Sequence, residues 1–310
     1  MSTPPAGTTK KRLFSRNDYL APLPIPTGIK PSDVLNTIWR KNDVFLDIGN
    51  YSIGSAVMML WSMAILFAFM GYLFRHDQDD MHIFAIMVTF IIGIPTLLLI
   101  QGLFREVPLP VRFNRQRREV CIPQADGEYW IVPWESVTAA ATQHSSVSQA
   151  GRATMGMLFI GFENPDPHAK EDNKHYSLGF NCGGGTTAMA LWECMRSYME
   201  IGPDAVPDSR VGVAPYEETQ IGSIITDLCK GNLLSVFWGL FCITILGTYL
   251  AEKLQNLKLS HPPSLTYPAI IEWSKPLPPE QWAKRSPELE AAIAQRESEL
   301  LAQTQHTEQT

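Results

Sequence analysis

Apolar and polar positions along the chain alternate between two regimes: long uncharged runs, and stretches where apolar residues recur every second position. Residues 51–74 (YSIGSAVMMLWSMAILFAFMGYLF) contain no charge, and as a helix at 1.5 Å per residue they would be about 36 Å long, enough to cross a bilayer. Residues 83–104 form a second uncharged run, broken only by Pro95, which a membrane helix tolerates as a kink if neighbours satisfy the freed carbonyl. Together they predict a transmembrane hairpin over 51–104, joined by a short acidic loop at 75–82. A third run, 233–251, carries ten Leu, Ile, Val or Phe residues. On the insertion scale these contribute roughly −3 to −6 kcal/mol, and the run reads as a third span.

From Val111 the period changes to two, the mark of strands with one buried face. Val111 and Phe113 alternate with arginines, Val120 and Ile122 follow a basic turn, and Asp126-Gly127 turns into Tyr129–Val132. Further strands are expected over 136–141, 155–162 and 175–180. The Ser/Gln-rich stretch 142–152 and the polar stretch 164–173 read as loops. After Cys182-Gly183-Gly184-Gly185, the residues Leu191, Trp192, Met195, Tyr198 and Met199 make one apolar helical stripe. Thr186 or Thr187 would cap that helix, and Gly202-Pro203 ends it. The fold class is membrane α + β: residues 1–50 are a basic, proline-containing cytoplasmic arm and 51–104 the hairpin. A small β domain closed by an amphipathic helix follows at 105–205, then a linker at 206–232, a third span at 233–251 and a Pro-rich tail with a terminal helix at 252–310.

Charge sets the orientation. Of 25 Lys and Arg, seven lie in 1–50, one in 75–82, eleven in 105–232 and six in 252–310. Five of them (Arg105, Arg112, Arg115, Arg117, Arg118) crowd the end of the second run, where the positive-inside bias acts. The arm and the β domain are therefore expected in the cytoplasm, and three spans would put the tail on the periplasmic side. The net charge of −6 argues against a nucleic-acid partner. Five cysteines without a C-x-x-C pair indicate reduced thiols rather than a disulfide framework or zinc site. The first run begins too late and is too long for a cleaved signal peptide.

The strand order with its closing helix resembles the pleckstrin-homology-like domains of bacterial membrane proteins. The motifs VRFNRQRREVCIP, VPWESVTA and LWECMRSYMEIGP, on a chain that opens with a membrane hairpin, resemble an uncharacterised family of Gram-negative inner-membrane proteins whose genes lie beside type VI secretion effectors. The resemblance covers roughly residues 50–205 and stops short of the tail. It implies an immunity protein that binds and neutralises a type VI secretion toxin by occlusion. The alternative is a membrane-anchored scaffold or effector-loading factor acting through the cytoplasmic β domain.

Candidate chemistry is sparse. The triple glycine before a helix could face an anion, yet it lacks the spacing and lysine of a P-loop, and a hinge explains it as well. Cys182 at that helix end could be a low-pKa thiol or a passive one. His76, Asp77, Asp79, Asp80 and His82 offer metal ligands in a flexible loop, which points to a solvated turn and to no metal site. None of the three runs contains a charged residue, which speaks against intramembrane catalysis. The reading is a non-enzyme with no catalytic residue and no cofactor. Arg112, Arg115, Arg117 and Arg118 either set topology or bind lipid headgroups, at about 1 kcal/mol per basic residue near an anionic leaflet. In the tail, six prolines between 262 and 279 alternate with large apolar groups. Tyr267, Trp273 and Trp282 could anchor a partner's groove or lie on the protein's own membrane surface or β domain. Ser286-Pro287 should start a helix striped by Leu289, Ile293, Leu300 and Leu301. The partners implied are a cognate toxin or effector, the lipid bilayer and a second copy of the chain, and not nucleic acid.

Overall fold

A computed structural model describes residues 4–33, 35–75, 78–124, 126–148, 151–212, 216 and 219–308. The chain begins with β1 (Thr9–Lys11), β2 (Ser15–Ala21), β3 (Ile38–Lys41) and β4 (Phe45–Ile48), followed by α1 (Gly54–Phe74), α2 (Gln78–Val88) and α3 (Ile94–Phe104). Strands β5 (Val111–Asn114), β6 (Glu119–Pro123), β7 (Tyr129–Pro133), β8 (Thr138–Ser148), β9 (Gly151–Glu163) and β10 (His175–Asn181) come next. Helices α4 (Gly185–Glu200), α5 (Gln220–Cys229), α6 (Leu233–Phe241), α7 (Thr248–Leu259), α8 (Pro268–Trp273) and α9 (Pro287–Glu308) complete it. Two compact units result: a β unit of Met1–Asn50, Leu109–Ser209 and Ser264–Thr310, and a helical unit of Tyr51–Pro108 and Arg210–Pro263.

The β unit holds two five-stranded sheets, ordered β1-β2-β8-β9-β10 and β3-β4-β5-β6-β7, with every pairing antiparallel. The alternation expected from β5 to β10 is present. Val111, Phe113, Val120, Ile122, Trp130 and Val132 from one sheet meet Ala139, Ala141, Leu158, Ile160, Phe162 and Phe180 from the other. Helix α4 closes this core through Leu191, Trp192, Met195, Tyr198 and Met199, with Trp192 stacked on Trp134 at 5.4 Å between ring centroids. Its first turn carries no side-chain cap, so Thr186 and Thr187 do not serve as caps. Its end is as expected: Gly202 sits at φ +143 and its N–H returns to the Ser197 carbonyl.

Three expectations are corrected here. Residues 1–50 are not an arm: they supply β1 to β4, one hairpin to each sheet. The reason is pairing geometry, since Asn42 Oδ1 accepts the Val44 and Phe45 N–H groups and so makes the β3–β4 turn, while β4 hydrogen-bonds β5. Residues 142–148 and 151–152 are not a loop, while 149–150, the rest of that expected loop, lie outside the described residues. Strands β8 and β9 continue as a ladder to Ser148↔Gly151, and beyond β2 they pair only with each other. The tail is not a separate segment: Leu265, Tyr267, Ile270 and Trp273 pack on Cys121, Tyr129 and Ile131 of β6 and β7. The tail and the strands it covers thus belong to one compact unit.

In the helical unit, two helices, Gly54–Leu73 and Met81–Phe104, are long and apolar enough to cross a membrane. Phe67 and Phe84 hold them together with ring centroids 5.8 Å apart. The second helix admits Pro95 through a π-helical turn at Thr89–Gly93, where the Ile94 N–H reaches back to the Thr89 carbonyl. The expected 75–82 loop is shorter than predicted, since α2 begins at Gln78; His76 and Asp77 lie outside the described residues. The third run is not one straight span. Leu233–Leu246 and Thr248–Leu259 meet at 70°, because Gly247 takes the left-handed conformation at φ +67, which breaks the helix.

Candidate functional site

The basic turn between β5 and β6 is the polar hub of the β unit. Arg112 points away from the core, out of alternation with Val111 and Phe113, yet it is buried. Its guanidinium clasps Asp47 of β4 in a bidentate pair at 2.6 and 2.8 Å, lies 3.8 Å over the Phe45 ring and donates to Ser274 Oγ. Two N–H groups on two carboxylate oxygens fix both planes, which is why a buried pair of this kind holds its geometry. Arg118, at φ +54, donates to both oxygens of Glu200 at the end of α4 and to Glu135. Glu200, with its side chain only 1% exposed, also accepts from Trp134 Nε1 at 2.8 Å and from Arg285 Nε at 2.6 Å. Burial pushes the Glu135 carboxyl up, but hydrogen bonds from Ser286 and the Arg118 charge outweigh it and hold the group below its ordinary value.

The tail threads past this hub. The Trp273 carbonyl accepts from Asn114 Nδ2 and Arg117 Nε, while Trp273 Nε1 donates to Glu119 at 2.7 Å. Gln116 receives the Leu277 N–H through its side chain and the Ala283 N–H through its carbonyl. Trp282 lies beneath the Arg115 guanidinium at 5.2 Å and donates to the Leu277 carbonyl. Ser286 caps α9 as expected, and Leu289 and Ile293 are buried. Between Asn42, Asp43, Arg115, Gly202, Asp204 and Trp282 an open groove of about 700 Å³ remains. Its lining carries both signs of charge, Arg115 against Asp43 and Asp204, together with Pro203 and Pro276.

The four arginines are therefore brought together, but their partners are internal. Arg112 and Arg118 are buried in ion pairs, Arg117 holds the tail, and Arg115 donates to the Ile201 carbonyl. Of the tail aromatics, Tyr267 and Trp273 pack on the sheet and Trp282 alone borders the groove. The acidic partners Asp47, Glu119, Glu135 and Glu200 escaped the sequence reading; no spacing marks them, because the tail that completes their burial is remote in sequence.

The remaining candidates resolve simply. Cys182 is buried, donates toward the Phe180 carbonyl, and burial raises its thiol to about 11, the opposite of an activated cysteine. In the triple glycine, Gly183 takes φ +72 and a Cβ on Gly185 would lie 2.8 Å from Gln143 Oε1, while the neighbouring strand needs a glycine of its own, since a Cβ on Gly156 of β9 would lie 2.1 Å from the Gly184 carbonyl carbon. Among the described residues, no three His, Cys, Asp or Glu side chains are placed to hold a metal ion. Comparison of the chain with protein-family models, curated proteins and solved structures gives no match.

Proposed function

We propose that the protein is a membrane-anchored adaptor of the bacterial inner membrane, whose β unit and tail together form a docking module on the cytoplasmic side. One observation carries this reading: the chain leaves the β unit twice, at 51–108 and 210–263, and returns to it both times. With both excursions starting and ending on one side, Arg75 in the 75–82 connection is the only one of the 25 Lys and Arg assigned to the far side apart from those of the second excursion itself. The positive-inside bias then supports a cytoplasmic β unit more strongly than it did for a three-span chain. Two sheets with a closing helix also support the pleckstrin-homology-like reading, with the membrane hairpin inserted between β4 and β5. The module acts as a non-enzymatic binder, and its groove takes a protein segment of an effector or secretion component.

Immunity toward a toxin is the second reading, and a different observation favours it. The helical unit exposes a broad apolar surface, including Leu66, Phe69, Phe90 and Leu97, on which a membrane-inserting toxin could be met within the bilayer. In that case the tail takes no part. The two readings separate on full-length chain carrying Arg115→Ala and Trp282→Ala at the groove, expressed in the native host. Loss of effector export or co-purification with protection intact supports the adaptor. Unchanged export, with protection lost only on substitution of the helical unit, supports immunity and overturns the adaptor.

A further inference from the structure

The second excursion contains a helical hairpin whose geometry the adaptor reading does not use. Helix α7 runs antiparallel against the first half of α1: Gln255 bonds the Tyr51 carbonyl and the Ile53 N–H, Ala251 faces Gly54, and Gly247 lies beside Trp61. Lys258, near the end of α7, reaches the Arg105 carbonyl at the end of the second apolar helix. Both ends of the α1/α2–α3 pair are therefore at the level where α7 ends. Gly247 lies about 10 Å further along α1, counting from Gly54 to Trp61 at 1.5 Å per residue.

At that level the chain turns by 70°. The break is built rather than frayed. Trp61 Nε1 donates to the Thr244 carbonyl at 2.8 Å and Ser62 Oγ to the Ile245 carbonyl at 3.0 Å, so two side chains of α1 satisfy the carbonyls that the break releases. Such satisfaction is required wherever backbone is interrupted in a low-dielectric layer. The segment Leu233–Leu246 would be about 21 Å long, and at 70° to α7 it advances only about 7 Å along the α1 direction, far less than a hydrocarbon core of about 30 Å.

Helices α5 and α6 pack on one another through Ile224 against Gly239 and Asp227 to Ser235. Away from that contact, α6 exposes Leu233, Leu234, Phe237, Trp238 and Phe241, and Trp238 stacks on Phe241 at 5.4 Å. Helix α5 exposes Ile221, Ile225 and Leu228 at i, i+4 and i+7, with Ser223, Thr226 and Lys230 on its other side. A two-helix element that is apolar on its outer faces, polar along one edge and runs nearly across two spans, about 10 to 17 Å in from the level where α7 ends, fits the acyl region of one leaflet.

We infer that α5 and α6 form an in-plane hairpin embedded in the leaflet at which α7 ends, with acyl chains of that leaflet covering its apolar faces. The inference rests on the adaptor reading in one respect only, that α1 and α2–α3 cross the bilayer. The third apolar run is then a leaflet wedge, and the chain crosses the membrane twice.

Nitroxide depth measurements on the full chain in phosphatidylethanolamine/phosphatidylglycerol vesicles test it, in a background of Cys229→Ser and Cys242→Ser. Labels are placed singly at Leu234→Cys, Phe237→Cys and Phe241→Cys, and at Phe69→Cys in α1 as the reference for a span. The expected result is that all three α6 labels lie in the acyl region at depths that differ by less than about 5 Å from 234 to 241, with 69 in the acyl region as well. A depth that changes by about 10 Å between 234 and 241, as along a helix parallel to α1, overturns the hairpin and restores a third span. Free access of a water-soluble relaxant at all three α6 positions also overturns it. A reference label at 69 that is itself water-exposed refutes the crossing helices, and with them the adaptor reading, independently of the hairpin.

Discussion

At the residue scale, the β unit depends on a few buried charges with several partners each. Glu200 gathers Arg118, Arg285 and Trp134, so Glu200→Ala leaves Arg118 at 9% side-chain exposure with Glu135 as its remaining carboxylate. Removing one partner of a buried pair costs about 3–5 kcal/mol, and a marked loss of thermal stability followed by tryptophan fluorescence is the expected outcome. Glu135 predicts a pH dependence of definite sign. Its folded carboxyl titrates below the ordinary range, so its contribution is complete above that range and is lost as pH falls through the lowered value. Acidification toward pH 3 should therefore lower the melting temperature of the wild type more than that of Glu135→Gln. Arg112 shows where reading ahead fails. Alternation placed it correctly on the outer face of β5, but an outer face is solvent-exposed only until another element covers it, and the covering element lies more than 150 positions away.

Elements differ in how openly the sequence declares them. The strands β5 to β10, helix α4 and the two long apolar helices were legible because each buries one face, or all faces, in a regular period. Strands β3 and β4 carried a readable signal as well, since Trp39 and Phe45 flank Asn42-Asp43 as in a tight hairpin, but the surrounding basic and proline-rich residues obscured it. The extension of β8 and β9 was not legible, because a ladder that pairs only with itself needs no apolar alternation. Nor was the break at Gly247: a single glycine in an apolar run is common, and only the closeness of Trp61 makes it obligatory. A Cβ at 247 would sit 2.5 Å from Trp61 Cγ on a backbone at φ +67, so Gly247→Ala should destabilise the helical unit and be detected as a lower melting temperature in detergent. The docked tail makes its own prediction. Cys121 lies beneath Leu265, Ile270 and Trp273, and burial raises its thiol to about 12, so it should resist maleimide in the native protein. In Ile270→Ala with Trp273→Ala, docking is weakened, and each 1.4 kcal/mol lost should raise the labelling rate about tenfold. An unchanged rate would mean that the tail does not cover the sheet.

For the whole molecule, the order of the chain and the order in space diverge. A linear reading gives arm, hairpin, domain, span and tail; the fold gives one β unit assembled from the beginning, middle and end of the chain, into which two helical excursions are inserted. This is why counting apolar runs set the tail apart from the β unit. A count of three puts the two ends of the β unit on opposite sides of the membrane, whereas Trp273, Gln116 and Arg285 hold them together in one structure. It also explains why the basic turn, promising as a headgroup site in the sequence, serves as the clasp that the tail closes on.

The most direct test of this account is the sidedness of the C-terminus relative to the β unit, measured with paired reporter fusions after residues 78, 150 and 310, each reporter active on only one side of the membrane. The account predicts that 150 and 310 report the cytoplasm and 78 the periplasm. A periplasmic signal at 310 with a cytoplasmic one at 150 would contradict it, since the tail could not then be docked on β6 and β7.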